Sequence, residues 1–383
     1  MLKRLFSVFF ITKSLIAQVS DMKTLGYQII QELSNPDYFG RGYVFEGHTK
    51  ASTYILNSFQ QLGLDSVWVQ EFPVDVVCFE KDPILKINNK NLKPGYDFTL
   101  SAGQRNWTKS YTRNQLGKSL VLDSAVLNKI PTILAKKTLP PVVYSKSLSN
   151  DSLIFIKESS LPQKIRKIEI KIESTLKKNL KTQNVIGLVK GQSDSIIIVC
   201  AHYDHLGAYG NACYFPGSLD NASGIALMTC YAKQLLTQTS TLKHSLLFVA
   251  FGAEELGLLG SKFFVENSRQ SIDLSKVKQV INLDLVGTGK DGITIENANS
   301  NSILFQHLEQ KNQTQNWFPV IKTKGNRPNS DHYPFSQKGI ASYFIYTLGE
   351  AKEYHNVYDN INNVTLSKWD ELLEMLNYMI SKL

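Results

Sequence analysis

The stretch SIIIVCAHYDHLGAYGNACYFPGSLDNASG, residues 195–224, runs from an apolar segment into a loop that is rich in glycine and titratable side chains. Its opening SIIIVCA is almost continuously apolar, which is typical of a strand buried on both faces of a sheet. From Ala222 onward the apolar spacing is that of a helix. In open α/β sheets, ligands bind beyond the carboxyl ends of such strands. The polar loop therefore lies where a ligand site is expected.

The same alternation of strand, loop and helix continues downstream. Further strands are predicted at SLLFVAF (245–251), QVINLDL (279–285), GITIEN (292–297) and ASYFIY (341–346). Helices are predicted over 222–236, 258–267, 302–311 and 366–383. Apolar strands that alternate with amphipathic helices predict an α/β domain with a largely buried sheet, here assigned to residues 182–383.

The upstream half of the chain has a different character. Residues 18–65 are predicted to be the helical N-terminal part of the same domain, with an apolar face between 49 and 64. From 66 to 181 short alternating runs predominate, and they predict a β-rich insertion. These runs include DPILKIN, SLVLDS (119–124), SLIFIK and KIEIKIE, in which Ile168, Ile170 and Ile172 alternate with charged residues.

Composition excludes some function classes and favours export. Apolar residues make up 43% and charged residues 20% of the 383 residues, so a substantial core is expected. The net charge of +9 comes with no nucleic-acid-binding motif, so solvated lysines are the favoured explanation and no nucleic-acid partner is expected. Lys3 and Arg4 precede a short apolar stretch that ends at Ala17, which predicts a signal peptide over 1–17 and an exported protein. No segment predicts stable membrane insertion.

Titratable residues follow several of the predicted strands. His202 comes directly after the first strand, and Asp204 is placed to accept the other ring N–H of a metal-bound imidazole. Asp220 stands where a helix begins, and it is equally suited to be a helix cap. The four cysteines match no zinc-finger spacing.

Further carboxylates and a histidine follow the next strands. Glu254 and Glu255 follow the second strand, where one carboxylate can bind a metal while the other reaches its water; a helix start also favours two glutamates. Asp284 lies among apolar residues, where a carboxylate is costly to bury unless it is paired or metal-bound; an aspartate turned to solvent at a strand end is the alternative. His355 follows another strand by a short loop, and a lone loop histidine usually has no ligand role.

Taken together, these residues predict a two-metal centre. Imidazole and carboxylate ligands suit zinc. Two zinc ions close to each other are the arrangement used by aminopeptidases and phosphatases. The candidate ligands for two Zn²⁺ are His202, Asp220, Glu255, Asp284 and His355.

The order of motifs resembles that of a known family. The segments AHYDHLG, GSLDNASG, FGAEELGLLGS, NLDLVG, NSDHYPF and EYHNVYD resemble, in this order, the co-catalytic di-zinc exopeptidases. That family includes bacterial leucyl aminopeptidases and glutamate carboxypeptidases. The likeness covers about 184–383 well and 36–64 more weakly. It implies a three-layer zinc-exopeptidase (phosphorylase/hydrolase-like) domain with a mixed central sheet, and a protease-associated-like identity for the 66–181 insertion.

The resemblance also implies a role for each site residue. His202 and Asp284 would bind one zinc, Glu255 and His355 the other, and Asp220 would bridge them. Glu254 matches the general base, and Asp204 the residue that supports His202. Asp331 and His332 are expected at the wall of the substrate site, Arg327 either faces substrate or is solvated, and His205 has no assigned role.

The predicted function is hydrolysis of N-terminal residues from peptide substrates by a zinc-dependent aminopeptidase. A carboxypeptidase of the same fold would need a cation for the terminal carboxylate, and Arg327 is the one candidate. A glutaminyl cyclase shares this fold type. A non-catalytic zinc-stabilised binding protein is the alternative from another class, and the presence of Glu254 argues against it because structural zinc sites close all their positions.

Overall fold

A computed structural model describes residues 22–112, 132–149, 153–237, 241–268 and 272–383. The predicted signal peptide (1–17) and the predicted strand SLVLDS (119–124) lie outside these residues. The strands are, in chain order, β1 (Ser66–Cys78), β2 (Ile84–Ile87), β3 (Lys90–Asn91), β4 (Phe98–Leu100), β5 (Trp107–Thr112), β6 (Thr132–Lys136), β7 (Leu153–Lys157), β8 (Lys167–Ile172), β9 (Thr175–Val189), β10 (Ser193–His202), β11 (Ala208–Tyr209), β12 (Cys213–Tyr214), β13 (His244–Phe251), β14 (Val277–Leu283), β15 (Gly292–Glu296), β16 (Ile321–Lys324) and β17 (Ser342–Leu348).

Seven helices are named here. They are α1 (residues 22–33), α2 (Gly47–Leu62), α3 (Ser223–Thr237), α4 (Leu259–Glu266), α5 (Ser302–Gln315), α6 (His332–Ser336) and α7 (Trp369–Ser381). Within the described ranges, no helix is long and apolar enough to cross a bilayer.

One mixed eight-stranded sheet organises the molecule, in the order β1-β9-β13-β10-β14-β17-β15-β16. Its centre is parallel, because β10 pairs with β13 and β14, and β14 pairs with β17, all in the same direction. Antiparallel strands β9 and β15 flank this centre. The parallel strands are the continuous apolar runs of the sequence, as expected for strands covered on both faces.

Helices cover both faces of the sheet. Along β10, Ile197, Val199 and Ala201 pack into one apolar cluster, and α1, α2, α3, α5 and α7 all contribute to it. The alternate residues Ile196, Ile198 and Cys200 pack into a second cluster with residues of α4 and α6. Side chains of successive strand residues point to opposite faces, so these clusters are the two interlayer cores. The predicted α/β class with three layers and a mixed central sheet is confirmed.

The N-terminal part is helical but interrupted. The sequence pattern predicted one helical region, whereas the structure has two helices separated by residues 34–46. In this connection Phe39, Arg41, Phe45 and Glu46 have positive φ, which lies outside the right-handed helical region. The segment consequently turns back toward the sheet, and it carries Arg41 into the interior.

The segment predicted as an insertion contains two kinds of strand. Its first and last strands, β1 and β9, pair antiparallel from Ser66↔Leu188 to Cys78↔Thr175 and extend the main sheet. The strands between them form two small sheets, β3-β2-β8-β5 and β4-β7-β6. We refer to residues 79–174 as the insertion body. On β8, Ile168, Ile170 and Ile172 are buried as their alternation predicted.

The insertion body packs on the loops of the main domain. Its core includes Ile168 and Trp107 together with Leu206, Phe215 and Val357, which follow strands of the main sheet. The insertion body therefore lies beside the loops that follow β10 and β17.

Candidate metal centre

The candidate ligands meet at one edge of the sheet because of the strand directions. His202 ends β10, Asp284 follows β14, Glu255 follows β13 and His355 lies beyond β17. Since these four strands are parallel, their carboxyl ends are at the same edge. Asp220 joins them from the irregular turn Ser218–Ala222 that leads into α3.

Two groups of side chains share the carboxylate of Asp220. His202 Nε2 lies 3.3 Å from Asp220 Oδ1 and 3.4 Å from Asp284 Oδ1. His355 Nε2 lies 3.1 Å from Asp220 Oδ2 and 3.2 Å from Glu255 Oε2. We call His202, Asp220 and Asp284 the sheet triad, and His355, Asp220 and Glu255 the loop triad. The structure thus brings all five predicted ligands together, with one Asp220 oxygen in each triad.

A third histidine belongs to this cluster. His205 is buried, and its Nδ1 lies 2.8 Å from Glu255 Oε1 and 3.9 Å from Asp220 Oδ1. This contact leaves Glu255 Oε2 facing His355. The sequence indicated no role for His205, although its spacing from His202 in HYDH was a signal. The atoms of His205, Asp220 and Glu255 are close enough to be ligands of one ion.

The second ring nitrogen of each triad histidine is held by a backbone carbonyl. His202 Nδ1 lies 3.1 Å from the carbonyl oxygen of Asp204, and His355 Nδ1 lies 2.8 Å from that of Val142 in the insertion body. A carbonyl only accepts, so each Nδ1 carries a proton, and Nε2 is the ring nitrogen left to face the carboxylates. This tautomer is the one that metal ligation requires.

The carboxylate of Asp204 makes its close contacts with backbone amides rather than with the ring of His202. Its Oδ1 is 3.9 Å from His202 Nδ1, whereas it accepts the backbone N–H of Glu254 at 3.0 Å and, through Oδ2, that of Glu255 at 3.3 Å. The turn after β13 aims both amides at this carboxylate. Asp204 therefore supports His202 through its carbonyl and positions the Glu254–Glu255 turn through its side chain.

The turn that presents Asp220 is held from two sides. The fully buried Arg41 donates to the carbonyls of Pro216 (2.6 Å), Gly217 (2.8 Å) and Asp220 (3.0 Å). Asp359 accepts the N–H groups of Leu219 (2.8 Å) and Asp220 (3.0 Å). Burial lowers the pKa of Arg41 to about 10, and burial raises the pKa of Asp359 to about 7. No sequence pattern pointed to either residue.

The electrostatics of the cluster fit bound cations. Asp284 Oδ1 is buried and accepts no hydrogen bond within the part of the chain that the structure describes. Burial acts to raise the pKa of Asp220, but its contacts with His202 and His355 outweigh burial and hold that pKa well below its usual range. Buried carboxylates in mutual contact are costly without positive charge. The nitrogen and oxygen donors, the shared carboxylate and the orphaned oxygen fit two zinc ions.

Glu254 lies in the same cavity but belongs to neither triad. Burial raises the pKa of its carboxyl well above the usual value, and the neighbouring Glu255, Asp331 and Asp284 raise it further. A carboxyl of this kind exchanges a proton nearer to neutral pH than an exposed glutamate does. Its backbone position is fixed by the contact with Asp204.

Asp331 and His332 lie behind the site, without direct contact to the triads. Asp331 accepts a hydrogen bond from Ser261, and the His332 ring stacks on Phe344 at a centroid distance of 5.4 Å. The preceding Ser330 donates to Asp284 Oδ2 at 3.2 Å. The segment 330–332 therefore packs against the sheet triad and the cavity wall.

A cavity of about 180 Å³ opens onto both triads. Its lining residues are His202, Asp220, Glu254, Asp284, Leu285, Glu296, Arg327, Asn329, Phe344, Tyr346, Tyr354 and His355. Arg327, for which the sequence left two roles open, is one of them. The site thus combines candidate metal ligands, an unliganded carboxyl and room for a small group.

Comparison with known proteins finds one matching family for the part of the chain that carries this site. Residues 184–380, just over half of the chain, match the sequence model of peptidase family M28. Aminopeptidase YwaD of Bacillus subtilis (strain 168) is 30% identical over 247 residues, which cover 61% of this chain and 50% of that protein. Leucine aminopeptidase 1 of Arthroderma otae is 28% identical over 185 residues, 44% of this chain and 48% of that protein. The chain spans about half the length of these curated relatives.

Solved structures share the whole fold. BSAP, a zinc aminopeptidase from Bacillus subtilis, aligns with a TM-score of 0.70 and 21% identity over 94% of each chain. A glutaminyl cyclase from Porphyromonas gingivalis aligns with a TM-score of 0.54 and 15% identity, over 93% of this chain and 96% of that one. At these identities the likeness shows the fold.

Proposed function

The chain belongs to peptidase family M28, and we propose that it is a two-zinc aminopeptidase that hydrolyses N-terminal residues from peptides. One observation carries the proposal: two triads share Asp220 while Glu254 remains outside both in the same cavity. The chain's relatives in bacteria and fungi are named aminopeptidases, which supports the reaction class. His202, Asp284, Glu255, His355 and the shared Asp220 would hold the ions.

The chain's own residues supply positioning and proton transfer. Two bound zinc ions would polarise the scissile carbonyl and make water a stronger acid. The Glu254 carboxylate then accepts the proton of the attacking water and delivers it to the departing amine nitrogen, work that typically contributes 10²–10⁴-fold. Asp204 keeps the backbone of Glu254 in place.

A substrate panel tests the proposal. Zinc-loaded protein should cleave a free-amine leucyl peptide and leave its N-acetylated counterpart intact, and chelation should abolish cleavage. Equal cleavage of the acetylated peptide would indicate a carboxypeptidase or an endopeptidase. Loss of ammonia from an N-terminal glutamine peptide would indicate a cyclase.

Glu254→Gln tests the proton-transfer role. We expect hydrolysis to fall by at least about 10²-fold with unchanged zinc content, because the amide cannot accept the proton. Glu309→Gln, on the exposed side of α5, is the matched control and should retain wild-type activity. Full activity of Glu254→Gln would remove Glu254 from this role.

A further inference from the structure

The cavity beside the triads has a second wall with its own chemistry. Glu254 and four of the triad residues, His202, Asp220, Asp284 and His355, line one part of the cavity. The remainder consists of apolar, aromatic and polar groups together with an ion pair. The residues that lie outside the triads are Leu285, Glu296, Arg327, Asn329, Phe344, Tyr346 and Tyr354. A substrate whose scissile bond lies at the triads places its first side chain in this remaining space.

The ion pair is built on a fully buried carboxylate. Glu296 is 0% exposed and ends β15 between two strands, opposite Lys324 of β16 and Phe344 of β17. Arg327 donates to both of its oxygens, from Nε at 3.1 Å and from a terminal nitrogen. Because a buried carboxylate is costly unless it is paired, Glu296 fixes the Arg327 guanidinium at the cavity.

A second cation stands beside this ion pair, outside the residues that line the cavity. Lys324 Nζ lies 4.0 Å from the same Glu296 oxygen and also hydrogen-bonds the Tyr346 hydroxyl. Two cations therefore share one carboxylate, and the group retains a net charge of +1. The Arg327 side chain is 51% exposed although its partner is fully buried. A guanidinium has five N–H groups, so Arg327 keeps donors beyond those that contact Glu296.

We propose that this cationic wall, formed by Glu296, Arg327 and Tyr346 with Lys324 beside them outside the cavity lining, selects N-terminal residues whose side chains end in a carboxylate or carboxamide. The inference rests on the proposed aminopeptidase function. Leu285, Phe344 and Tyr354 pack along the apolar stem of such a side chain, and Arg327 binds its tip. Glutamate is the preferred residue and glutamine the second, whereas N-terminal lysine is repelled.

The test compares substrates on matched variants. We measure kcat/KM for Glu, Gln, Leu and Lys p-nitroanilides with zinc-loaded wild type, Arg327→Met, Lys324→Met and the exposed control Lys338→Met. We expect wild type to prefer Glu over Leu, and Arg327→Met to lower the Glu/Leu ratio about 10-fold or more. Lys324→Met should lower it by a smaller factor, and Lys338→Met should leave it unchanged.

A double variant allows for misfolding, because Arg327→Met leaves Glu296 buried without its partner. Glu296→Gln/Arg327→Met removes both charges together and should show the same loss of the Glu/Leu ratio. A wild-type preference for Leu, or a ratio unaffected in both variants, would overturn the cationic wall and leave the aminopeptidase proposal standing.

Binding of the product amino acid separates the two proposals. By calorimetry, we expect L-glutamate to bind wild type more tightly than L-leucine and to lose that advantage in Arg327→Met. If wild type cleaves none of the anilides, the aminopeptidase proposal fails, and selective L-glutamate binding still supports the wall. Equal binding of the two amino acids would overturn it.

Discussion

The sheet triad and the loop triad share Asp220, yet different parts of the molecule support them. In the sheet triad, His202 and Asp284 stand at the ends of adjacent strands, and the carbonyl that holds His202 is only two residues away in the chain. In the loop triad, His355 is held by Val142, 213 residues away in the insertion body, and Glu255 is held by His205. The first triad is a product of the sheet, and the second depends on contacts between separate loops.

This difference predicts that the two proposed metal sites fail independently. Partners that position a ligand typically change metal affinity by 10–100-fold when they are removed. Changes at His205 or Val142 should weaken the loop site alone, whereas changes at the Asp220 turn should weaken both. The following variants test this division, from the largest expected effect to the smallest.

Asp220→Asn should impair the sheet triad and the loop triad together, because it removes the carboxylate that both share. We expect loss of both zinc ions and a decrease in kcat/KM of about 10³-fold or more, because a neutral amide cannot bridge two cations and several kcal/mol of transition-state stabilisation are lost. Elemental analysis and peptide hydrolysis measure the two effects. Retention of one full equivalent of zinc would show that the triads do not depend on Asp220 equally.

Arg41→Met should weaken both sites through the backbone. Its three bonds to carbonyls of the Asp220 turn disappear and those groups remain buried, so we expect destabilisation by roughly 2–5 kcal/mol and lower affinity for both ions. Thermal unfolding and zinc titration measure this. Arg41→Lys, which keeps the charge, should lie between the variant and wild type. Selective loss of a single ion would contradict a clamp common to both triads.

His205→Gln should sharpen the contrast, since His205 contacts Glu255 but no residue that belongs only to the sheet triad. We expect the second zinc equivalent to bind about 10–100-fold more weakly and the first to be unchanged. Stepwise zinc titration separates the two equivalents, with His307→Gln on α5 as control. A decrease in both affinities would assign His205 to the whole cluster.

Val142→Pro tests the contribution of the insertion body. The Val142 N–H donates to the His355 carbonyl at 3.0 Å, and proline removes this donor while keeping the carbonyl that accepts from His355 Nδ1. We expect a weakening of the second zinc equivalent of up to about 10-fold. Val142→Ala keeps both backbone contacts and should match wild type. An effect on the first equivalent would show that the insertion supports the sheet triad as well.

The sequence predicts the strands and ligands of the sheet triad better than it predicts the contacts that position the ligands of the loop triad. Continuous apolar runs mark parallel strands, and a polar residue at the end of each run marks the ligand edge, so His202 and Asp284 could be placed. The partners that orient ligands come from backbone geometry. Ala253 has a positive φ that directs the amides of Glu254 and Glu255 to Asp204, and no residue pattern indicated it.

The interior role of Arg41 was also outside the reach of the sequence. Charged residues are mostly exposed, and only the interrupted connection between α1 and α2 places its guanidinium among buried carbonyls. The contact of Val142 with His355 depends on packing of the insertion body, which short local patterns do not report.

The long ladder between β1 and β9 has a consequence for protein engineering. Because Cys78 and Thr175 are paired neighbours, the chain leaves the main sheet and returns to it at a single point, and residues 79–174 form a cassette that could be exchanged there. A transplanted cassette would preserve the main sheet but not the catalytic activity, unless it placed a hydrogen-bond acceptor where the Val142 carbonyl oxygen now accepts from His355 Nδ1. Chimeras should therefore be screened for that acceptor before they are screened for turnover.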